Sequence, residues 1–174
     1  MRTILCLGAN LTEPIYQIER AKELLTDPKA GLPTGSGTKG KTLRILRESI
    51  IRQTTPYGLT NQPAFFNQVI EIETSLEPPL LLLRLKKIEE TMGRSPSIKW
   101  GPRLIDIDII FMERMIMDEP DLTIPHRDIE NRLFLLELLM ELIPDFEHPV
   151  LCLSIRQLFA LRKAGKGVMV SGDR

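Results

Sequence analysis

The chain has 174 residues, 43% of them hydrophobic and 26% charged, which is enough for one domain with a substantial core and too apolar for a disordered chain. Its 23 basic and 23 acidic residues cancel, which excludes a globally basic nucleic-acid binder and a polybasic membrane binder, so any phosphate site must come from local clustering. Apolar runs such as Leu80 to Leu83 are too short to span a membrane and the opening MRTILCLGANL is too strand-like for a signal peptide; two distant cysteines, Cys6 and Cys152, without metal-ligand spacing, fit a reduced cytoplasmic protein.

Residues 3–7 are β-prone and apolar, and Gly8-Ala9-Asn10 ends the run. Thr12 as cap and Pro14 in the first turn open a helix, with Ile15, Ile18, Ala21, Leu24 and Leu25 at helical spacing. Residues 26–42, rich in Gly, Pro, Thr and Lys, read as a long loop. Residues 43–54 read as one strand, and TPYGLTNQPAF after them as loop. Residues 66–74 alternate with period two: Phe66, Gln68, Ile70 and Ile72 on one face, Asn67, Val69, Glu71 and Glu73 on the other. Pro78-Pro79 opens a second helix with the stripe Leu81, Leu85, Ile88 and Met92, and Gly93 ends it. RSPSIKWGPR is a basic loop and LIDIDIIF the clearest strand. Residues 122–125 are extended, a helix covers about 132–142, and a short helix near 155–161 precedes a polar tail from about 163. This order predicts an α+β sandwich, with helices on one face of a mainly antiparallel sheet in a split-βαβ arrangement and additional C-terminal helices, as one domain over 1–174.

Asp106 and Asp108 are the strongest chemical signal. On a strand they share a face about 6.5–7 Å apart, while Ile105, Ile107 and Ile109 take the other face. Two like charges at that distance repel by roughly 2 kcal/mol at an effective dielectric near 20. A hard divalent cation reverses that penalty, because Mg²⁺ favours one or two carboxylates plus phosphate oxygens and water; the bland alternative is a solvated polar face. Arg94, Lys99 and Arg103 lie just upstream, and a cation cluster beside a carboxylate pair suits a magnesium–nucleotide complex. Trp100, the only tryptophan, either anchors this loop or covers a ligand as a lid. His126 can bond a phosphate or hold a turn, and Phe65, Asn67 and Phe134 suit a flat heterocycle, by stacking and by amide recognition of its edge. No serine-hydrolase motif, zinc spacing, P-loop or dinucleotide fingerprint appears.

The pattern resembles 6-hydroxymethyl-7,8-dihydropterin pyrophosphokinases of folate biosynthesis over roughly residues 3–150. The resemblance is carried by Leu7-Gly8-Ala9-Asn10-Leu11, Thr55-Pro56, Gln62-Pro63, Phe66-Asn67, Glu89, Gly93-Arg94, Trp100-Gly101-Pro102-Arg103 leading into Asp106-Ile107-Asp108, Leu122-Thr123-Ile124-Pro125-His126, Asn131-Arg132 with Phe134, and Pro144-Asp145 with His148-Pro149. It implies a ferredoxin-like βαββαβ fold and transfer of a pyrophosphoryl group from ATP, as co-substrate, to the pterin alcohol. Asp106 and Asp108 would bind two Mg²⁺ ions, with Arg94 and Arg103 neutralising the triphosphate. Glu89, Lys99, Trp100, Ile109, Thr123, His126 and Arg132 would lie on the ATP side. Phe65 and Phe134 would sandwich the pterin, with Asn67, Thr55, Pro56 and Tyr57 reading its edge and Trp100 and Asp106 beside it. The chain departs from the family pattern at Ala9 (usually serine), Pro96 (often arginine), Arg127 (commonly an aromatic residue or proline) and in its longer 26–42 loop. The expected partners are small molecules, not nucleic acid or membrane, and the expected state is a monomer. A catalytically silent relative and a ferredoxin-like RNA-binding module are the competing readings; the second predicts an aromatic–basic strand motif that 66–74 lacks.

Overall fold

The structure, a computed structural model, describes residues 1–28, 30, 43–56, 61–93 and 101–166. Its elements are β1 (Arg2–Ala9), α1 (Pro14–Thr26), β2 (Leu43–Glu48), β3 (Arg52–Thr54), β4 (Phe65–Thr74), α2 (Pro78–Thr91), β5 (Asp106–Met112), β6 (Met117–Glu119), β7 (Leu122–Ile124), α3 (Leu133–Leu142) and α4 (Ile155–Lys163). The main sheet runs β2–β4–β1–β5, with β3 also on β4, and every pairing is antiparallel. β1 is buried from Thr3 to Ala9, so both of its faces are covered and it lies inside the sheet.

Helices cover both faces of the sheet, where one was expected. Leu5, Leu7, Ile70, Ile72, Ile105, Ile107 and Ile109 pack on Ile18 and Leu25 of α1 and on Leu81, Leu85 and Ile88 of α2. The alternate residues Ile4, Cys6, Val69, Ile110 and Phe111 pack on Leu135, Leu136, Leu138 and Leu139 of α3 and on Ile155 and Leu158 of α4. The second face is apolar too, and its exposure would cost about 25 cal/mol per Å². The C-terminal helices are therefore a layer of the fold rather than an appendage.

Three other expectations change. The strand foreseen over 43–54 is two pieces, because the Ser49 hydroxyl accepts the Val69 N–H at 3.0 Å and the Ser49 carbonyl accepts from Gln68 Nε2 at 2.8 Å. A side chain replaces a ladder acceptor there, and between Glu48↔Ile70 and Arg52↔Asn67 this strand uses one residue more than β4, as a bulge does. Thr12 does not cap α1: Glu13 holds that position at φ 53° with no side-chain cap, and the Thr12 carbonyl accepts from Gln17 instead. The β6–β7 hairpin was not foreseen, since its strands are three residues each. The second helix matches its prediction, from Pro78 to a stop at Gly93, which has φ 93°. Among the described residues no helix is long and apolar enough to cross a membrane.

Candidate active site

The cleft arises where the second face of the sheet runs out of apolar residues. Along β1 that face reads Ile4, Cys6, Gly8, and the partners on β5 read Phe111, Asp108, Asp106. On β4 the partners of Cys6 and Gly8 are Val69 and Asn67. The apolar half is covered by α3 and α4. The polar half floors an open cavity of about 220 Å³, lined by Cys6, Gly8, Thr54, Thr55, Phe65, Asn67, Gly101, Arg103, Asp106, Asp108, His126, Arg132 and Phe134.

Gly8 sits directly between Asn67 and Asp106. Those two residues are therefore two strand spacings apart, about 9.6 Å. A Cβ at Gly8 would stand 2.7 Å from Asn67 Oδ1, so the absent side chain is what leaves the floor flat there. Asn67 is buried, and its Nδ2 donates to the Thr54 hydroxyl at 2.7 Å. Phe65 and Phe134 line the same cavity from β4 and from the first turn of α3.

On the β5 side, Asp106 is ion-paired with Arg103. Asp108 has its carboxyl pushed above the usual range, first by burial and then by the Asp106 charge, with His126, Arg132 and Lys86 opposing. A divalent cation reverses both causes at once. Among the described residues no cluster of three or more His, Cys, Asp and Glu is poised for a metal. Two carboxylates that leave the remaining positions to phosphate and water are what Mg²⁺ uses, so the donor set fits that ion.

His126 accepts the Asp128 N–H on Nδ1 at 3.2 Å, so the neutral ring carries its proton on Nε2 and remains a donor. Burial holds its pKa below the ordinary histidine range, against the pull of Asp108. Arg132 is steadied by Asp128 at 3.0 Å.

A second cavity, about 320 Å³, lies between α2, β5 and the β6–β7 hairpin, and it shares Asp108 and His126 with the first. Its lining is mixed: Leu82, Ile107, Ile109, Pro120 and Leu122 supply apolar contacts, and Lys86, Asp121, Thr123 and Arg127 stand around them. Arg127 is already engaged, by Thr123 at 2.8 Å and by Asp118.

The structure thus gathers Thr55, Phe65, Asn67, Arg103, Asp106, Asp108, His126, Arg132 and Phe134 in one cleft, and Ile109 and Thr123 in its neighbour. Pro56 lines an adjoining cavity with Thr55, Arg132 and Phe134. Glu89 lines none of these cavities; it is 1% exposed and accepts the Ile107 N–H at 2.7 Å. Tyr57, Arg94, Pro96, Lys99, Trp100 and most of the 26–42 loop lie outside the described residues. Sequence reasoning missed Thr54, Gly8, Cys6, Leu82 and Lys86. Two of them carried a signal: Gly8 stands in the Leu7-Gly8-Ala9-Asn10-Leu11 pattern, and Lys86 falls four residues after Leu82 and three before Glu89, on one side of a helix.

Known proteins resemble this chain in sequence and in fold. The family model described as "7,8-dihydro-6-hydroxymethylpterin-pyrophosphokinase (HPPK)" matches residues 4–144. The Folic acid synthesis protein fol1 of Pneumocystis carinii is 40% identical over 119 residues, which are 68% of this chain but 16% of that protein. The chain therefore spans under a fifth of that relative. A 2-amino-4-hydroxy-6-hydroxymethyldihydropteridine pyrophosphokinase of Aquifex aeolicus is 35% identical over 144 residues, covering 83% of this chain and 81% of its own length. In fold, the chain is similar to a Plasmodium falciparum HPPK-DHPS crystal structure, wild type with pteroate, at a TM-score of 0.68 and 17% identity, covering 94% of this chain and 42% of that one.

Proposed function

The chain belongs to the 7,8-dihydro-6-hydroxymethylpterin-pyrophosphokinase family, and we propose that it transfers a pyrophosphoryl group from ATP to 6-hydroxymethyl-7,8-dihydropterin, giving AMP and the pterin diphosphate for folate biosynthesis. The observation that carries this reading is the meeting of two unlike cavities at Asp108 and His126. One has two aromatic rings and a buried amide, suited to a flat heterocycle with a hydrogen-bonding edge. The other combines the side chains of Leu82, Ile109 and Leu122 with those of Lys86, Thr123 and Arg127, suited to a base and ribose whose phosphates lead towards the aspartates.

In this reading Phe65 and Phe134 stack on the pterin, and Asn67, Thr54 and Thr55 read its edge above the bare Gly8 floor. Leu82, Ile109, Thr123 and Lys86 take the nucleotide end. Asp106 and Asp108 hold Mg²⁺, two ions in the family pattern; when bound, the metal supplies Lewis-acid neutralisation of the polyphosphate. Arg103, Arg132 and the Nε2 donor of His126 add fixed positive or donor groups around the transferred phosphates. Arg94, Lys99 and Trp100 join this list from the sequence pattern alone. Attack by a neutral alcohol on phosphorus then needs alignment and stabilisation of spread charge, and no covalent intermediate with the protein. The strand order, with β2 and β3 as one interrupted strand, supports the ferredoxin-like βαββαβ reading of the sheet.

The deciding experiment is AMP formation from ATP, with and without the reduced pterin alcohol and Mg²⁺. AMP release that requires both, in step with pterin diphosphate, is expected. Release independent of the pterin, or none in the complete mixture, overturns the reading.

A further inference from the structure

We infer that Glu89 is a positioning residue for the Asp106–Asp108 pair, acting from behind β5 on the peptide that joins them. Among the described residues β5 is the edge strand of the main sheet, with β1 as its one strand partner, and the Ile110 carbonyl accepts the His126 N–H at 3.0 Å. Gly8 and Cys6 of β1 pair with Asp106 and Asp108. Between them Ile107 turns its side chain into the core beneath α1 and α2, and Glu89 Oε1 accepts its N–H at 2.7 Å. The second oxygen of Glu89 lies 3.4 Å from Lys86 Nζ, on the wall of the second cavity.

A buried carboxylate is costly unless its oxygens are used, and a bond from a backbone N–H to a carboxylate is one of the stronger kinds. The bond also falls on the side of β5 away from its strand partner β1, where an edge strand is weakest. The Ile107 N–H belongs to the peptide plane that carries the Asp106 Cα, and the Asp108 Cα is one peptide further on, so the bond fixes Asp106 directly and Asp108 through Ile107. An edge free to slip would move both carboxylates together and loosen any ion between them. Outer partners of this sort commonly set metal affinity by about 10- to 100-fold. The metal-holding consequence rests on the proposed function, whereas the hydrogen bond does not.

The test uses the full chain, free of nucleotide and pterin, with Mn²⁺ as the probe. Glu89→Met keeps volume and removes the acceptor; Glu89→Gln keeps an acceptor oxygen and removes the charge. Amide exchange at Ile107 is read by NMR without metal, and Mn²⁺ binding by electron paramagnetic resonance. Glu89→Met should speed Ile107 exchange and weaken Mn²⁺ binding by at least about 10-fold each, while Glu89→Gln stays within a few-fold on both. Two results overturn the inference: Glu89→Met leaving either quantity unchanged, or Glu89→Gln losing as much as Glu89→Met. If Glu89→Met does not fold, the original chain decides: Ile107 must exchange as slowly as the amides of β5 that face β1, and exchange at the rate of an open edge overturns it. A chain that binds Mn²⁺ through this arrangement yet makes no AMP would sink the proposed transfer and leave the Glu89 role standing.

Discussion

Asn10 and Arg103 hold each other by their backbones and by one side chain. The Asn10 N–H donates to the Arg103 carbonyl at 3.1 Å, and Asn10 Oδ1 accepts the Arg103 N–H at 2.8 Å. Asn10 Nδ2 meanwhile donates to Gln62 Oε1 at 3.1 Å and to the Pro63 carbonyl at 3.0 Å. Asn10 is 3% exposed, so one buried amide at the end of β1 ties the segment before β4 to the segment before β5. These segments lead into Phe65 on one side of the cleft and Asp106 on the other. Asn10→Ala should cost about 2–4 kcal/mol, since it strands several buried groups at about 1 kcal/mol or more each. Urea denaturation measures this; a loss under about 0.5 kcal/mol, the range of neutral surface changes, would show that the clasp is not needed.

Removing either aspartate separates function from stability. Asp106→Asn and Asp108→Asn should each lower AMP formation by several orders of magnitude, because both carboxylates are assigned to the metal. Thermal stability of Asp108→Asn should hold or rise. Its carboxyl is pushed upward by burial and by Asp106, so its ionised form opposes folding and the amide removes that opposition. Near-normal turnover in either variant contradicts the metal assignment, and a large loss of melting temperature contradicts the electrostatic account.

Gly8→Ala probes the cleft floor. The new methyl would stand 2.7 Å from Asn67 Oδ1, so the amide must turn and loosen its bond to Thr54. Pterin affinity should fall by about 10-fold, one lost hydrogen bond of about 1.4 kcal/mol. A nucleotide reaching the site from the second cavity should bind nearly as before. Calorimetric titration of each ligand separates the two, and equal losses would argue against Asn67 as the pterin reader.

His148 predicts an acid limit to stability. It is buried, its Nδ1 accepts the Val150 and Leu151 N–H groups at 3.2 Å each, and burial depresses its pKa to about 4. The unfolded ring takes its proton near pH 6.5 and the folded ring only near 4, so below 6.5 the unfolded state binds more protons. Stability should therefore fall as the pH drops through this window, by about 3 kcal/mol in full. His148→Asn keeps a side-chain acceptor for those amides and removes the titration. Its stability should vary less between pH 7 and 4; an unchanged slope would assign the acid sensitivity elsewhere, with His126 the next candidate because its pKa is also depressed.

Much of this protein is legible from residue spacing alone. The alternation Ile105, Asp106, Ile107, Asp108, Ile109 places two carboxylates on one face and three apolar residues on the other, because successive side chains on a strand point oppositely. Pro78-Pro79 and Gly93 bracket α2 because proline suits a helix start and glycine accepts the left-handed exit. The WGPR segment and its aspartates, with the Thr-Ile-Pro-His turn, are local patterns whose chemistry depends on neighbours in sequence. What lies beyond is set by contacts between distant segments. The phase of β5 changes where the register slips between Leu5↔Ile109 and Ile4↔Phe111, so Ile110 and Phe111 both join the second core. A bulge depends on the partner strand and leaves no periodic signature. The second helical layer arises because both faces of the sheet are apolar up to Cys6, and only tertiary packing decides where α3 stops covering it and the cleft begins. Gly8 reads in sequence as the end of a strand. Only the pairing of β1 with β4 and β5 makes it the bare floor between Asn67 and Asp106, and only the packing of α2 against the strand edge brings Glu89 to the peptide between the two aspartates.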